Sequence, residues 1–322
     1  MRMSKKIMIT LSIVSILALG GCSGTGQGEL QREEEQVPAG EVKVEPFVSP
    51  EIANTMQTEA YMNGDGIGTR FEITDGNLYG RGGNTCGQLG LGKTDPEEVN
   101  YADPVLIAEH VIHVDSSHGC VIYITEKKEL YGLGKSCNGQ LGTAVDESRT
   151  EGNVSIVTKP LLIADQVAYA EVSAGSTMFL KEDGSLYMLG DNQNGQLGDG
   201  TAKPVRARRI LTDAVLYTSE PFLVMDNVKF ISLGDYTAAA ISGPGDLWLW
   251  GDNSCGQVGN GRKGNGLPSV SDDVVSSPYL AMKKAKSVSI RGNAVTAVDF
   301  SGKEYVWGEG YGAWPKEAES GN

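Results

Sequence analysis

Three histidines fall within one short stretch, His110, His113 and His118, beside Glu109, Asp115 and Cys120. Imidazole and thiolate are common ligands of zinc and copper, so this is the densest candidate metal centre in the chain. An odd separation, however, puts His110 and His113 on opposite faces of a strand, and a shared site would require a bulge between them. The plainer reading makes two of them strand residues and His118 a repeat-position residue, with no metal. A second candidate is Gly87-Gln88-Leu89-Gly90-Leu91-Gly92-Lys93-Thr94, which satisfies the phosphate-binding loop pattern. That pattern cradles phosphate only where a helix follows, so that amides and helix dipole converge. Asp95, Pro96, Asn100 and Pro104 oppose such a helix, and the same glycines recur without the lysine at Gly195–Thr201 and Gly256–Arg262. Glu97-Glu98 and Asp272-Asp273 could serve acid–base hydrolysis of a glycosidic bond if held at a set separation across a cleft. Flanked by Pro and Ser, they read as solvated loop charge. No nucleophile elbow and no Ser-His-Asp or Cys-His arrangement is present. The expectation is a protein without catalysis, cofactor or resident metal.

The elements that carry these residues are repeated. Gly82-Gly83-Asn84-Thr85-Cys86-Gly87-Gln88-Leu89-Gly90 returns as Gly190-Asp191-Asn192-Gln193-Asn194-Gly195-Gln196-Leu197-Gly198 and as Gly251-Asp252-Asn253-Ser254-Cys255-Gly256-Gln257-Val258-Gly259. A looser copy starts at Gly134, and a clipped one, Trp307-Gly308-Glu309-Gly310, stops before the Gln-Leu-Gly. The leading glycines are 52 to 61 residues apart, a period that implies modular stacking. Hairpin signals precede the phrase at Asp75-Gly76, Asp183-Gly184, Pro244-Gly245 and Ser301-Gly302, with a weaker one at Lys128-Glu129. Apolar runs flank each turn, for example Met178-Phe179-Leu180 before and Leu186-Tyr187-Met188-Leu189 after. Four strands of about 5–6 residues fit one period, and four-stranded blades around an axis follow, because one blade cannot bury both faces alone. The fold class is all-β, a β-propeller of about five blades over residues 55–312, with ring closure left open. Residues near Phe47–Ala60 could close it by pairing with the last blade. Trp248, Trp250 and Trp307 are expected in blade cores, and residues 313–322 read as a polar tail.

On these residues the chain resembles the regulator-of-chromosome-condensation repeat family, whose units run Asp-Gly-x-Val/Leu-Tyr-x-Trp-Gly-x-Asn-x-x-Gly-Gln-Leu-Gly. Asp183–Gly200 follows this nearly throughout and Leu247–Gly261 almost as well. The resemblance implies a propeller that grips protein partners by its rim loops, although the family usually closes seven blades and only five modules are legible here. One branch promotes nucleotide exchange on a small GTPase and another inhibits β-lactamases. Neither partner is inferable for this chain, because the contacting loops lie outside the shared repeat.

Arg2, Lys5 and Lys6 precede an apolar stretch from Ile7 to Leu19, too short to span a bilayer but fit for a signal peptide over residues 1–21. Leu19-Gly20-Gly21-Cys22 resembles a bacterial lipobox, which makes Cys22 the expected lipidation site. Residues 22–54 are Gly-, Glu- and Pro-rich and read as a tether. The expected location is the extracytoplasmic side of the cell membrane, or an outer membrane in a diderm organism. The formal net charge is −14, more negative still once the basic leader is removed. Such a surface repels phosphate backbones, which excludes nucleic acid as a partner and favours solubility or a basic ligand. Cys86, Cys120, Cys137 and Cys255 allow three pairings, and unpaired thiols are the stronger expectation.

Turns before the second strand of each repeat, around His118, Ser176-Thr177, Asp235-Tyr236 and Asn293, should gather on one rim. His118, Asp235, Tyr236, Asn293, Tyr311 and Trp314 are therefore the candidate binding residues. The functional expectation is a lipid-anchored scaffold that binds an envelope or cell-surface protein. A glycan-processing envelope enzyme and a metal-handling lipoprotein are the rivals.

Overall fold

The structure is a computed structural model that describes residues 57–60, 68–143, 155–173, 175–202, 217–266 and 273–318, all within one compact unit, Pro46–Asn322. Cys22 and the whole of the expected signal peptide (1–21) and tether (22–54) lie outside the described residues. The described chain forms five four-stranded antiparallel sheets and no helix. Blade 1 comprises β1 (Gln57–Ala60), β2 (Thr69–Thr74), β3 (Asn77–Gly83) and β4 (Asn100–Ala108). Blade 2 comprises β5 (Val111–Ser117), β6 (Cys120–Thr125), β7 (Leu130–Lys135) and β8 (Ile156–Ala164). Blade 3 holds β9 (Val167–Ser173), β10 (Ser176–Lys181), β11 (Leu186–Asp191) and β12 (Tyr217–Met225). Blade 4 holds β13 (Val228–Leu233), β14 (Thr237–Ser242), β15 (Asp246–Asp252) and β16 (Val274–Met282). Blade 5 holds β17 (Ala285–Arg291), β18 (Ala294–Asp299), β19 (Glu304–Gly308) and β20 (Gly312–Glu317).

Two boundaries differ from expectation. Gln57–Ala60 pairs with β2 of its own blade and not with the last one. The fifth sheet runs on through Glu317, so the residues expected as a polar tail supply its outer strand. That strand carries Pro315 and two charges and lacks an apolar run, which hid it. The outer strands share a signal, a proline at the same position in each: Pro104, Pro160, Pro221, Pro278 and Pro315. A proline removes an N–H from the exposed edge and blocks pairing with another sheet.

Local chemistry accounts for the hairpins. Thr74 pairs with Asn77 across Asp75 (φ 51°) and Gly76 (φ 76°), the two positive angles a tight hairpin turn demands. Apolar residues on both faces of the middle strands then fill the spaces between blades. Phe71, Leu78 and Leu89 pack against Val114, Val121 and Leu133 between blades 1 and 2. Met178, Leu186 and Leu197 meet Ile231, Ala238 and Trp250 between blades 3 and 4, and Ala239, Leu247 and Leu249 meet Val288, Val295 and Trp307 between blades 4 and 5. Trp250 and Trp307 are fully buried, as expected, while Trp248 is half-buried.

The repeated phrase is a latch from each blade to the next. Its Asn holds the loop through its side-chain oxygen, which accepts the N–H of Leu89, Leu197 or Val258 at 3.0, 3.1 and 3.0 Å. Its Gln accepts from the main chain two residues back, at Cys86, Asn138, Asn194 and Cys255. So folded, the loop reaches the following blade's outer strand: Gly92 N–H donates to the Thr158 carbonyl at 2.9 Å, Gly200 to Ser276 and Gly261 to Ala313, both at 2.8 Å. The following blade answers. The indole N–H of Trp250 donates to the Gln196 carbonyl, and that of Trp307 to the Gln257 carbonyl, each at 2.8 Å.

Both ends of the array break this pattern. Blade 5 has no latch, since β19 and β20 are joined by a short turn through Glu309, Gly310 and Tyr311. Blade 1 has no receiver: the position before the leading glycine, Leu133, Leu189, Trp250 and Trp307 elsewhere, is Arg81, paired with Glu72 at 2.8 Å. Arg70 beside it is exposed.

Candidate functional site

Antiparallel order places two sets of connections on the same end of every blade, the turn from the first to the second strand and the loop from the third to the fourth. The leading glycine locks them together. The main chain after it donates to the carbonyl of Gly119, Gly175, Tyr236 or Asn293 at 2.8–3.0 Å. At Gly134, Gly190, Gly251 and Gly308 φ lies between 90° and 107°, and a Cβ there would overlap that same carbonyl. His118, Asp235, Tyr236, Asn293 and Tyr311 therefore share one face of the propeller.

They form two groups. Toward the axis, Ser173 Oγ donates to Asp235 Oδ1 at 3.0 Å, joining the rims of blades 3 and 4. Tyr236 beside it is half-buried, and burial with the negative charge of Asp235, Asp191 and Asp252 raises its hydroxyl pKa. His118 (φ 52°) sits in the blade 2 turn, its Nδ1 2.6 Å from Ser117 Oγ. Ser176 and Thr177, expected on the rim, are instead fully buried in β10. Thr177 Oγ1 donates to the Gln140 carbonyl of the preceding latch at 2.8 Å.

The second group surrounds a cleft of about 460 Å³ between blades 4 and 5. Ser254, Cys255 and Lys263–Gly266 line one wall, and Gly308, Glu309, Gly310 and Gly312 the other. Asn293 Nδ2 donates to Glu309 Oε2 at 3.2 Å on its border. Tyr311, between the lining residues Gly310 and Gly312, is 48% exposed with Lys316 Nζ 5.9 Å from its ring centre, and Trp314 is 61% exposed with its ring lying against Gly261.

The histidine cluster does not converge. His110 is exposed beside Glu126 at 3.4 Å, His118 is on the rim, and His113 is buried with Nε2 2.6 Å from the Ala170 carbonyl of blade 3. Burial lowers the His113 pKa to about 4, which keeps the ring neutral. Among the described residues no group of three His, Cys, Asp or Glu side chains could hold a metal ion. No helix follows Gly87–Thr94: the loop is the blade 1 latch, and Lys93 pairs with Asp95 at 2.6 Å. The acidic pairs divide. Glu97 and Glu98 are exposed, but Asp273 is buried and accepts from Asn253 Nδ2 at 2.8 Å and from an Arg262 NH2 at 2.9 Å. The expectation of solvated charge at Asp273 is corrected, since it clasps the long blade 4 loop shut; Asp272 lies outside the described residues. The four described cysteines are all outside disulfides.

Sequence reasoning passed over Glu171, on the first strand of blade 3, and weighed Asp115, on the first strand of blade 2, only as a neighbour of the histidines. Asp115 Oδ2 accepts the Val172 N–H at 2.8 Å and Glu171 Oε2 accepts the Leu233 N–H at 2.6 Å, each crossing to the next blade. Ser232 Oγ accepts from Ile290 N–H at 3.2 Å in the same way. Desolvation raises Asp115 to about 6 and Glu171 to about 8. A signal existed: these residues stand at one fixed offset before the leading glycines 134, 190 and 251. It was masked because Asp, Glu and Ser do not look alike.

The sequence profile for the regulator of chromosome condensation (RCC1) repeat matches residues 228–257, the first three strands of blade 4 with the start of its latch. The chain is 30% identical over 152 residues to the human X-linked retinitis pigmentosa GTPase regulator, covering 46% of this chain and 13% of that protein. It is 25% identical over 254 residues to the human E3 ubiquitin-protein ligase HERC2, covering 75% of this chain and 5% of that one. It thus spans only a small part of these relatives' length. Among solved structures, human WBSCR16 superposes with a TM-score of 0.62 at 20% identity, covering 83% of this chain and 68% of that one. Prp20p from Saccharomyces cerevisiae gives 0.57 at 19%, covering 80% and 62%. The chain thus carries a regulator of chromosome condensation (RCC1) repeat at residues 228–257 and builds five four-stranded blades, the fold of the RCC1-repeat β-propellers it is similar to.

Proposed function

We propose that this protein is a non-catalytic binding module, anchored by a lipid at Cys22 on the extracytoplasmic side of a membrane, whose latch-bearing face engages another protein. The observation that carries the binding half is the blade 4–5 cleft, where Asn293 holds Glu309 and Tyr311 stands exposed between the lining residues Gly310 and Gly312, with Trp314 exposed three residues further on. Large aromatics at the edge of a concavity are the usual anchors of protein interfaces. The rigid latched frame below them limits the ordering cost of binding. A protein partner also fits the likeness in fold to Prp20p of Saccharomyces cerevisiae, which binds Gsp1p and histones. The acidic composition of this chain, −14, favours a partner with a basic surface. The anchoring half rests on the lipobox-like Leu19-Gly20-Gly21-Cys22.

Cross-linking in intact cells tests both halves, with the full chain, a Tyr311→Ser variant and a Cys22→Ser variant. A protein captured in stoichiometric amount by the full chain and reduced with Tyr311→Ser supports the binding module. Release of Cys22→Ser from the membrane fraction supports the anchor. Equal capture by full chain and Tyr311→Ser would remove this face from the reading, and an unchanged membrane association of Cys22→Ser would remove the lipid.

A further inference from the structure

We infer that the cleft between blades 4 and 5 is a peptide-binding site that takes a short extended segment of a protein partner bearing a cationic side chain; this rests on the binding-module reading and deepens it.

The cleft exists because the fifth repeat is cut short. In blades 2 to 4 the leading glycine is followed by residues of the blade's own latch, such as Ser136, Asn192 and Asn253, all fully buried. After Gly308 come Glu309, Gly310, Tyr311 and Gly312, all exposed. The short turn through Glu309, Gly310 and Tyr311 stands in place of a latch, and five of the ten residues that line the cleft are glycines. A Cβ on Gly266, Gly310 or Gly312 would meet nothing within 4 Å, which marks the open mouth. Glycine walls let a second backbone come close enough to hydrogen-bond. At about 460 Å³ the cleft falls within the usual range of ligand pockets, roughly 300–1,000 Å³.

The charged groups set the chemistry of the occupant. Glu309 lies on the Gly308–Gly312 wall, held by Asn293 with its other oxygen turned to no described partner. It would accept a lysine or arginine side chain. Lys263 on the opposite wall makes no ion pair or hydrogen bond with the described residues, and it would meet a carbonyl or carboxylate of the same segment. Tyr311, exposed between the lining residues Gly310 and Gly312, would cover the segment's aliphatic parts.

The test selects random linear heptapeptides displayed on phage against the full chain and measures the enriched peptides by fluorescence anisotropy. Glu309→Gln, Lys263→Gln and Asp235→Asn serve as variants, each on an exposed side chain and each checked for an unchanged melting temperature. The expected result is a peptide set sharing one Lys or Arg, weakened at least about tenfold by Glu309→Gln and by less than about twofold by Asp235→Asn. Peptides insensitive to Glu309→Gln and Lys263→Gln but lost with Asp235→Asn would overturn the cleft while keeping the binding module. Failure to enrich any peptide, or retention of chito-oligosaccharide in its place, would overturn the proposal.

Discussion

The Glu171 carboxylate on β9 accepts the main-chain N–H of Leu233 on β13 at 2.6 Å, so a side chain of blade 3 caps the inner edge of blade 4. Innermost strands have an open hydrogen-bonding edge, and an unmet N–H there would lie in a poorly hydrated space. Asp115 with Val172 and Ser232 with Ile290 repeat the contact one blade earlier and one later. The array is therefore stitched twice, by side chains at its axis and by latches at its periphery.

The axial stitches make stability depend on pH. Desolvation raises Glu171 to about 8 and Asp115 to about 6, both above the ordinary carboxylate value. The folded state thus binds more protons than the unfolded one between pH 4.5 and 8, and the contribution present at low pH is lost as pH rises through the folded pKa. Thermal melts from pH 5 to 9 should show a falling melting temperature, worth on the order of a few kcal/mol at most. Glu171→Gln should flatten that slope while keeping an acceptor for Leu233.

Removing the receiver of a latch should cost more than its buried area suggests. Trp250→Phe keeps most of the apolar contact but leaves the Gln196 carbonyl without the indole N–H. A loss of about 1–3 kcal/mol in urea unfolding is expected. Trp248→Phe, whose indole donates to Ser242 Oγ at 2.8 Å from a half-buried position, should cost less.

The clasp at Asp273 predicts a protease phenotype. Asp273→Ala removes the acceptor for Asn253 and Arg262, freeing the segment that follows the latch. Cleavage of the native protein between residues 262 and 274 should accelerate several-fold, with no comparable change in the blade 3 loop.

Thiol reactivity should divide the four described cysteines. Cys86 and Cys120 are buried, and burial pushes the Cys120 thiol far above its ordinary pKa, whereas Cys137 and Cys255 are half-exposed. In a Cys22→Ser chain, native labelling with a thiol reagent should modify Cys137 and Cys255 first, and Cys86 and Cys120 only on unfolding.

The sequence by itself determined the repeat, the strand order within each blade and the buried tryptophans. Glycines at positive φ, hairpin turns and apolar runs are local demands that each residue type meets without reference to distant chain. It also made the missing Gln-Leu-Gly of the fifth copy visible. Tertiary structure alone decided what that absence does. The short turn that stands after Gly308 in place of a latch forms one wall of a cleft whose other wall is Cys255 and Lys263 of blade 4, some fifty residues earlier. It also decided the fate of the charges. Packing between blades removes Asp115 and Glu171 from water and gives each a backbone donor on the next blade, while the folded blade 4 loop buries Asp273 against Asn253 and Arg262. Proximity in sequence misled in the opposite sense for His110, His113 and His118, because a strand and its turn send neighbouring side chains to solvent, core and rim.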